Sequence, residues 1–276
     1  MKTTRYQSQK FGIYALLLVG VILSIGPFYW MVIGSTHKSG EIFSIPPKLL
    51  PGSALGGNFH SLNETLGMVK IMWNSLFIAV VYTILSTLIC SMAGYAFAKF
   101  RFKGKNFVFF IILCSLMIPY QVTLIPLFNM MVSLNWLNTY QAIIVPSLAS
   151  PFAIYLMRQN MKAVPDSIIE ASRVDGAGEM RIFFTVVLPV MRPALAAVAI
   201  FLFMSQWNSL IWPLITLNSK EMFTLPVALS SIIGLARIDY GQLMLGTTLS
   251  TIPIMIFFLL LQKHFISGIL GGSVKE

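Results

Sequence analysis

Long apolar runs alternate with short polar stretches along this chain, and run length is the first guide to structure. A helix needs about 20 mainly apolar residues to cross a bilayer. Six segments qualify: residues 11–33, 71–97, 107–126, 140–157, 194–217 and 242–262. The third is interrupted by Pro119 and ends at Pro126, the fourth is short, and the sixth carries Pro253. Prolines are tolerated in spans because neighbouring groups satisfy the freed backbone. They are expected here as local kinks, with broken spans around a pathway as the alternative. The pattern predicts an all-α integral membrane protein, with residues 1–276 as one transmembrane domain of six spans.

Composition agrees. The chain is 57% hydrophobic and 10% charged, with a mean hydropathy of +0.80, where soluble domains average about 25% charged residues. Nineteen Lys and Arg against nine Asp and Glu give a net charge of +10. That excess fits a membrane protein whose basic residues collect on the cytoplasmic side. It does not point to nucleic acid, because no basic–aromatic binding module is present. Cys90 and Cys114 fall inside apolar runs and read as packed thiols, not as a disulfide or a metal site. The run from Phe11 to Ile33 exceeds a signal-peptide core and ends in Pro27-Phe28-Tyr29-Trp30, so it reads as a retained first span.

Six spans put both termini on one side. Residues 1–10, 98–106, 158–193 and 263–276 together hold fourteen Lys and Arg, and the opposite loops hold five. The positive-inside rule therefore places both termini, and the loop 158–193, in the cytoplasm. On the other side, residues 34–70 are rich in Pro, Gly, Ser and Asn and are expected to form a small cap.

Several chemistries are missing. All nine acidic residues lie outside the six spans, so the usual mark of an ion or proton relay is absent. Sodium held by carbonyls alone stays open. No buried Ser–His pair and no H-E-x-x-H motif offers intramembrane catalysis. The only Gly-Lys, Gly104-Lys105, precedes Asn106 and is no phosphate loop. The chain is expected to be non-enzymatic and without a cofactor. If it moves a solute uphill, the energy comes from another subunit.

The loop 158–193 holds Asp166, Glu170, Asp175 and Glu179, four of the nine acidic residues. Ser167-x-x-Glu170 has the pattern of a capping box, with Pro165 just ahead. A short helix is expected from Ile168 to Val174, ended by Asp175-Gly176, where Gly suits a left-handed turn. A second is expected from Gly178 to Val187, before Leu188-Pro189 and Arg192-Pro193 turn the chain into the fifth span. Helices this short are marginal alone and need packing. The small residues Ala171, Ser172, Gly176 and Ala177 let another surface approach the backbone. An amphipathic loop lying on the bilayer is the other reading of the same residues.

Glu170-Ala171-Ser172, three residues, Gly176, nine residues, then Val186-x-Leu188-Pro189 resembles the EAA loop of permease subunits in ATP-binding-cassette importers. Ser172 and Val186 stand where the family has Ala and Ile, both mild changes of size. Ile25 to Val32, Ala93 to Lys105, Trp207-Asn208 to Leu214, and Gly268 to Val274 are similar to the carbohydrate-importer branch of maltose type. The resemblance covers nearly the whole chain and implies a type I importer permease fold in a bacterial inner membrane. It implies as partners a second permease subunit, a dimer of ATPase subunits and an external sugar-binding protein. It implies that Glu170, Ala171, Ser172, Asp175, Gly176, Ala177, Leu188 and Pro189 form the ATPase-docking segment. The tail from Gly268 to Val274 would reach between the ATPases.

The solute path is less distinct. Asn74, Gln206, Trp207, Asn208 and Trp212 are polar or aromatic groups at membrane depth or near its edge. Sugars stack on aromatic rings and hydrogen-bond to side chains. Against that, Trp at a span end also serves as an interfacial anchor, and Asn in a span as interhelical glue. The expected solute is a sugar or oligosaccharide. The alternatives are a glycerol phosphate carried by the same fold, and a transporter that works without an ATPase.

Overall fold

The structure is a computed structural model that describes residues 2–234 and 238–271, with side chains described for residues 10, 12–234 and 238–262. Among the described residues every regular element is helical. In chain order they are α1 (Lys2–Gly34), α2 (Leu55–Leu66), α3 (Met68–Lys99), α4 (Lys105–Ser115), α5 (Tyr120–Ser133), α6 (Tyr140–Ile144) and α7 (Pro151–Met161). There follow α8 (Asp166–Val174), α9 (Glu179–Ile182), a π-helical turn over Phe183–Val187, α10 (Leu188–Val190), α11 (Arg192–Trp207), α12 (Ile211–Thr216), α13 (Leu225–Ile233) and α14 (Tyr240–Gly271).

By length and composition, Gly12–Gly34, Met68–Lys99 and Tyr240–Gln262 can each cross a membrane as one helix. Three bent pairs bring the number of candidate spans to as many as six. The expected third span is not locally kinked. It breaks into α4 and α5 at an angle of 100°. The backbone N–H groups of Leu116, Met117 and Ile118 tighten to bonds three residues back. Pro119 then has no N–H to continue the helix, and its ring pushes the preceding residue out of helical geometry. Past the break, α5 runs through Pro126 to Ser133, seven residues beyond the expected end. The fourth span bends by 43° between Ser147 and Pro151, where Ser150 caps α7 by accepting from the Ala153 N–H at 3.4 Å. The fifth begins at Arg192 after an 86° bend and stops at Trp207, so the stretch expected to end at 217 is split into α11 and α12. Pro193 sits at the start of α11, where a missing N–H costs no helical bond.

The chain divides into two compact units, residues 1–69 with 229–252, and residues 70–228 with 253–276. In the first, Asn58 ties the loop after α1 by donating to the carbonyls of Ser35 at 2.8 Å and His37 at 2.9 Å. His37 Nε2 lies 2.9 Å from the Leu50 carbonyl oxygen. Lys48 pairs with Glu41 at 3.1 Å and holds that carboxyl below its usual range. These bonds build the cap expected over residues 34–70.

In the second unit, the buried core joins Tyr82, Tyr95 and Phe97 of α3 to Met157 and Met161 of α7, Ile169 of α8, Phe183, and Val198 and Leu202 of α11. Gly94 permits the tightest approach. A Cβ there would lie 2.7 Å from Met157 Cβ and 2.9 Å from the Arg158 backbone nitrogen. The Arg158 guanidinium sits 3.8 Å over the Phe109 ring, and its Nε donates to the Phe97 carbonyl at 3.2 Å. One arginine thus joins α3, α4 and α7 at the end of the second unit that carries the loop 158–193.

Candidate functional site

The segment from Asp166 to Val190 forms two short helical pieces with one turn between them. It begins two residues ahead of the expected helix: α8 starts at Asp166, with Pro165 as N-cap and no side-chain capping bond. Ser167 is therefore inside the helix, and the capping box does not form. Asp166 replaces it. Its carboxylate lies in the first turn, where the exposed N–H groups favour negative charge, and accepts from Lys99 Nζ at 2.6 Å. That bond holds the Asp166 carboxyl below its usual range. Lys99 Nζ also donates to the Val164 carbonyl at 2.5 Å.

The turn after α8 is set by Gly176, whose φ is +80°. The Gly176 N–H donates to the Arg173 carbonyl and the Ala177 N–H to the Ser172 carbonyl, both at 3.0 Å. This pair of bonds is the Schellman end of a helix, which needs a left-handed residue and so favours glycine. A Cβ at Gly176 would meet no atom within 4 Å. The space outside this turn is open in the isolated chain.

Few residues hold the segment to the core. Ile169, Ile182, Phe183 and Val187 are buried, and Ala177, Val186 and Leu188 pack partly against the same core. Arg173 Nε donates to Glu179 Oε1 at 2.6 Å across the turn, and Tyr95 donates to Glu179 Oε2 at 3.2 Å. Most of the rest is exposed. Glu170, Ala171, Asp175, Gly176 and Pro189 are exposed, and Ser172, Ala177 and Leu188 are half-buried. Val174 is 88% exposed. The eight residues expected to dock a partner therefore lie on one continuous segment. Five are on its outer surface, and Ala177 and Leu188 pack inward.

Sequence reasoning pointed to Arg173 for pairing in this loop but missed Tyr95, Lys99 and Glu179 as residues that set the segment's position. A signal was present. Tyr95 and Lys99 are four apart at the end of a long apolar run, a spacing that puts two polar groups on one helix face.

The residues expected along the path fall differently. Asn74 is buried. Its Nδ2 donates to the Glu221 carbonyl at 2.7 Å, and its Oδ1 accepts from Tyr140 at 2.9 Å. Trp212 is buried and donates Nε1–H to the Ala142 carbonyl at 2.8 Å. Trp207 is buried and stacks on Phe203 at 5.7 Å between centroids. Asn208 is exposed, with Nδ2 donating to the Met204 carbonyl at 2.9 Å. A cavity of about 450 Å³ lies elsewhere in the second unit, lined by Thr83, Thr87 and Ser91 of α3, Leu188, and Arg192 and Ala196 of α11, among others.

The chain is 40% identical over 275 residues to the lactose transport system permease protein LacG of Rhizobium radiobacter, covering all of both chains. It is 36% identical to the arabinooligosaccharides transport system permease protein AraQ of Halalkalibacterium halodurans, over 94% of this chain and 96% of that one. A solved chain from a bacterial ABC transporter involved in the import of the acidic polysaccharide alginate superposes with a TM-score of 0.82 at 23% identity, covering 94% of this chain and 98% of that chain. That likeness shows the ABC importer permease fold. Residues 86–271 match the family described as binding-protein-dependent transport system inner membrane component, and they include the whole segment from Asp166 to Val190. The chain belongs to that family of inner-membrane transport permeases.

Proposed function

We propose that this chain is one of two permease subunits of an ATP-driven importer for a sugar or oligosaccharide. In this reading it works as a single transmembrane domain with both termini in the cytoplasm. It performs no catalysis. An ATPase dimer docks on the segment from Pro165 to Pro189, and an external solute-binding protein delivers the solute on the other side. The tail from Gly268 to Val274, whose side chains lie outside the described residues, contributes a second contact between the ATPases.

The observation that carries the reading is the outer face of α8 and its turn. Short helices need packing to persist, and here a few buried side chains and two exposed ion pairs hold the segment. Its exposed surface offers Glu170, small side chains and a tight turn to a surface that can grip it. Sugar as the solute is supported by the relatives at 40% and 36% identity. Asn208, with its exposed side chain, is the residue of the expected path best placed to meet solute. Arg192, at the cavity beside Thr87 and Ser91, favours an anionic solute such as a glycerol phosphate.

The test is purification of tagged chain from native membranes, with uptake by the reconstituted complex. Wild-type chain should bring down an ATPase and support ATP-dependent uptake of lactose or an arabino-oligosaccharide in preference to glycerol 3-phosphate. Uptake by this chain without any ATPase would overturn the assignment.

A further inference from the structure

The segment from Asp166 to Val190 is joined by the backbone to α7 on one side and α11 on the other. A third connection does not follow the chain. Tyr95 and Lys99 stand four residues apart on α3, on one face near its C-terminal end. Tyr95 is 4% exposed, and the Lys99 side chain is 7% exposed. Lys99 holds Asp166, the first residue of α8, and the carbonyl of Val164 just before it. Tyr95 holds Glu179, the first residue of α9. Each short helix is thus tied at its first turn to the same face of the same long helix. Between the ties, the Tyr95 ring packs against Phe183 at 5.5 Å and Phe100 at 5.4 Å.

α3 is suited to pass on a displacement. It is 32 residues long with no proline inside. Of the three straight spans it is the most deeply packed, with 39% of its apolar window buried against 6% and 11% for the others. A helix clasped at both short elements has no slack to absorb their movement locally.

From this geometry we propose that Tyr95 and Lys99 are positioning residues of the coupling step, making α3 a direct output of the docking segment alongside α7 and α11. The inference rests on the reading of Pro165 to Pro189 as the ATPase dock. It assigns the energy path to named side chains beyond the docking surface. Movement of α8 and α9 pulls the Lys99 and Tyr95 ties together, and α3 moves as a rod, so its far end near Trp73 shifts as well. The ties matter more for coupling than for stability. Without Lys99, the exposed Asp166 carboxylate is left to water and the Val164 carbonyl loses its side-chain donor. Without the Tyr95 hydroxyl, the ring keeps its packing and Glu179 keeps Arg173.

The experiment uses the complex purified from native membranes with its ATPase and partner permease. A fluorescent maleimide is placed on Trp73→Cys, an exposed site on α3, in a Cys114→Ser background; Cys90 is fully buried. The emission change on adding ATP with vanadate is measured beside the rate of ATP hydrolysis. The expected result is that Lys99→Met keeps the ATPase bound and loses about tenfold of the emission change. Tyr95→Phe loses a smaller part, and Lys99→Arg restores the change. An undiminished signal in both Lys99→Met and Tyr95→Phe overturns the inference. So does loss of the whole complex in Lys99→Met beside a normal signal in Tyr95→Phe, which would make the ties purely structural. A wild-type complex that binds ATPase but gives no signal overturns it too. A wild-type chain that brings down no ATPase overturns the docking reading itself, and this inference with it.

Discussion

The two ends of the second unit use polar residues in opposite ways. At one end, Asn74, Tyr140, Trp212 and the carbonyls of Ala142 and Glu221 satisfy each other inside the protein. At the other end, about 37 Å along α3 at 1.5 Å per residue, Lys99, Asp166, Arg173 and Glu179 pair at the surface of a thin segment. The same segment carries Glu170, Ala171, Asp175 and Gly176 in the open. A closed polar network gives rigidity, because an unsatisfied buried group is expensive. A network closed on one face only gives position while leaving a surface for something else to hold. The first end reads as a clasp and the second as a handle.

The largest effect should come at the handle. Glu170→Lys reverses an exposed charge, and Gly176→Asp adds a bulky charge where a Cβ meets no atom of this chain. Each should lower ATPase co-purification by about tenfold or more, the scale of a lost interface hot spot, with normal membrane insertion. Strain at the left-handed Gly176 position adds only about 1 kcal/mol, so a Gly176→Ala chain should stay folded and retain much of its ATPase. A thermal melt beside the pull-down separates the two contributions.

The next largest effect should come at the clasp, in the opposite readout. Asn74→Leu leaves the Tyr140 hydroxyl and the Glu221 carbonyl without their partner. Each lost bond is worth about 0.5–1.5 kcal/mol, so the melting temperature should fall by a few degrees while ATPase association is unchanged. Trp212→Phe removes one hydrogen bond, to Ala142, and should cost about 1 kcal/mol with no change in which solute is taken up. A selectivity change in either variant would return these residues to the solute path.

How much of this was legible depended on how local each feature is. Run lengths and proline positions are local, and the straight spans at 11–33, 71–97 and 242–262 follow from them. The break at Pro119 was visible as a proline. Its 100° angle was not, because a kink and a break share the same covalent cause and differ in what packs around them. The left-handed turn at Gly176 was readable because glycine acts through local backbone geometry. Ser167 misled because a capping pattern is local, while the winning contact, Lys99 with Asp166, joins residues 67 apart. Asn74 and Trp212 show the same limit: polar groups at membrane depth are readable, but their partners Glu221 and Ala142 are not.

The smallest predicted effect is of pH. The folded-state pKa of Asp166 lies below the ordinary carboxylate value of 3.8. Its pairing with Lys99 therefore contributes fully above that value and is lost only as pH falls through the lowered one. Complex stability should show no step from this pair between pH 8 and pH 5, roughly the range above ordinary carboxylate titration. A step in that window that disappears with Asp166→Asn would contradict the tie.

The most direct test of the handle is a contact made by the unaltered surface in its own membrane. Val174, 88% exposed at the end of α8, can be replaced by a photoreactive amino acid, and the products of illumination identified by mass spectrometry. The account predicts a covalent adduct between this chain and an ATPase subunit. Adducts to lipid alone, with ATPase present in the same membranes, would mean that the segment lies on the bilayer and is not the dock.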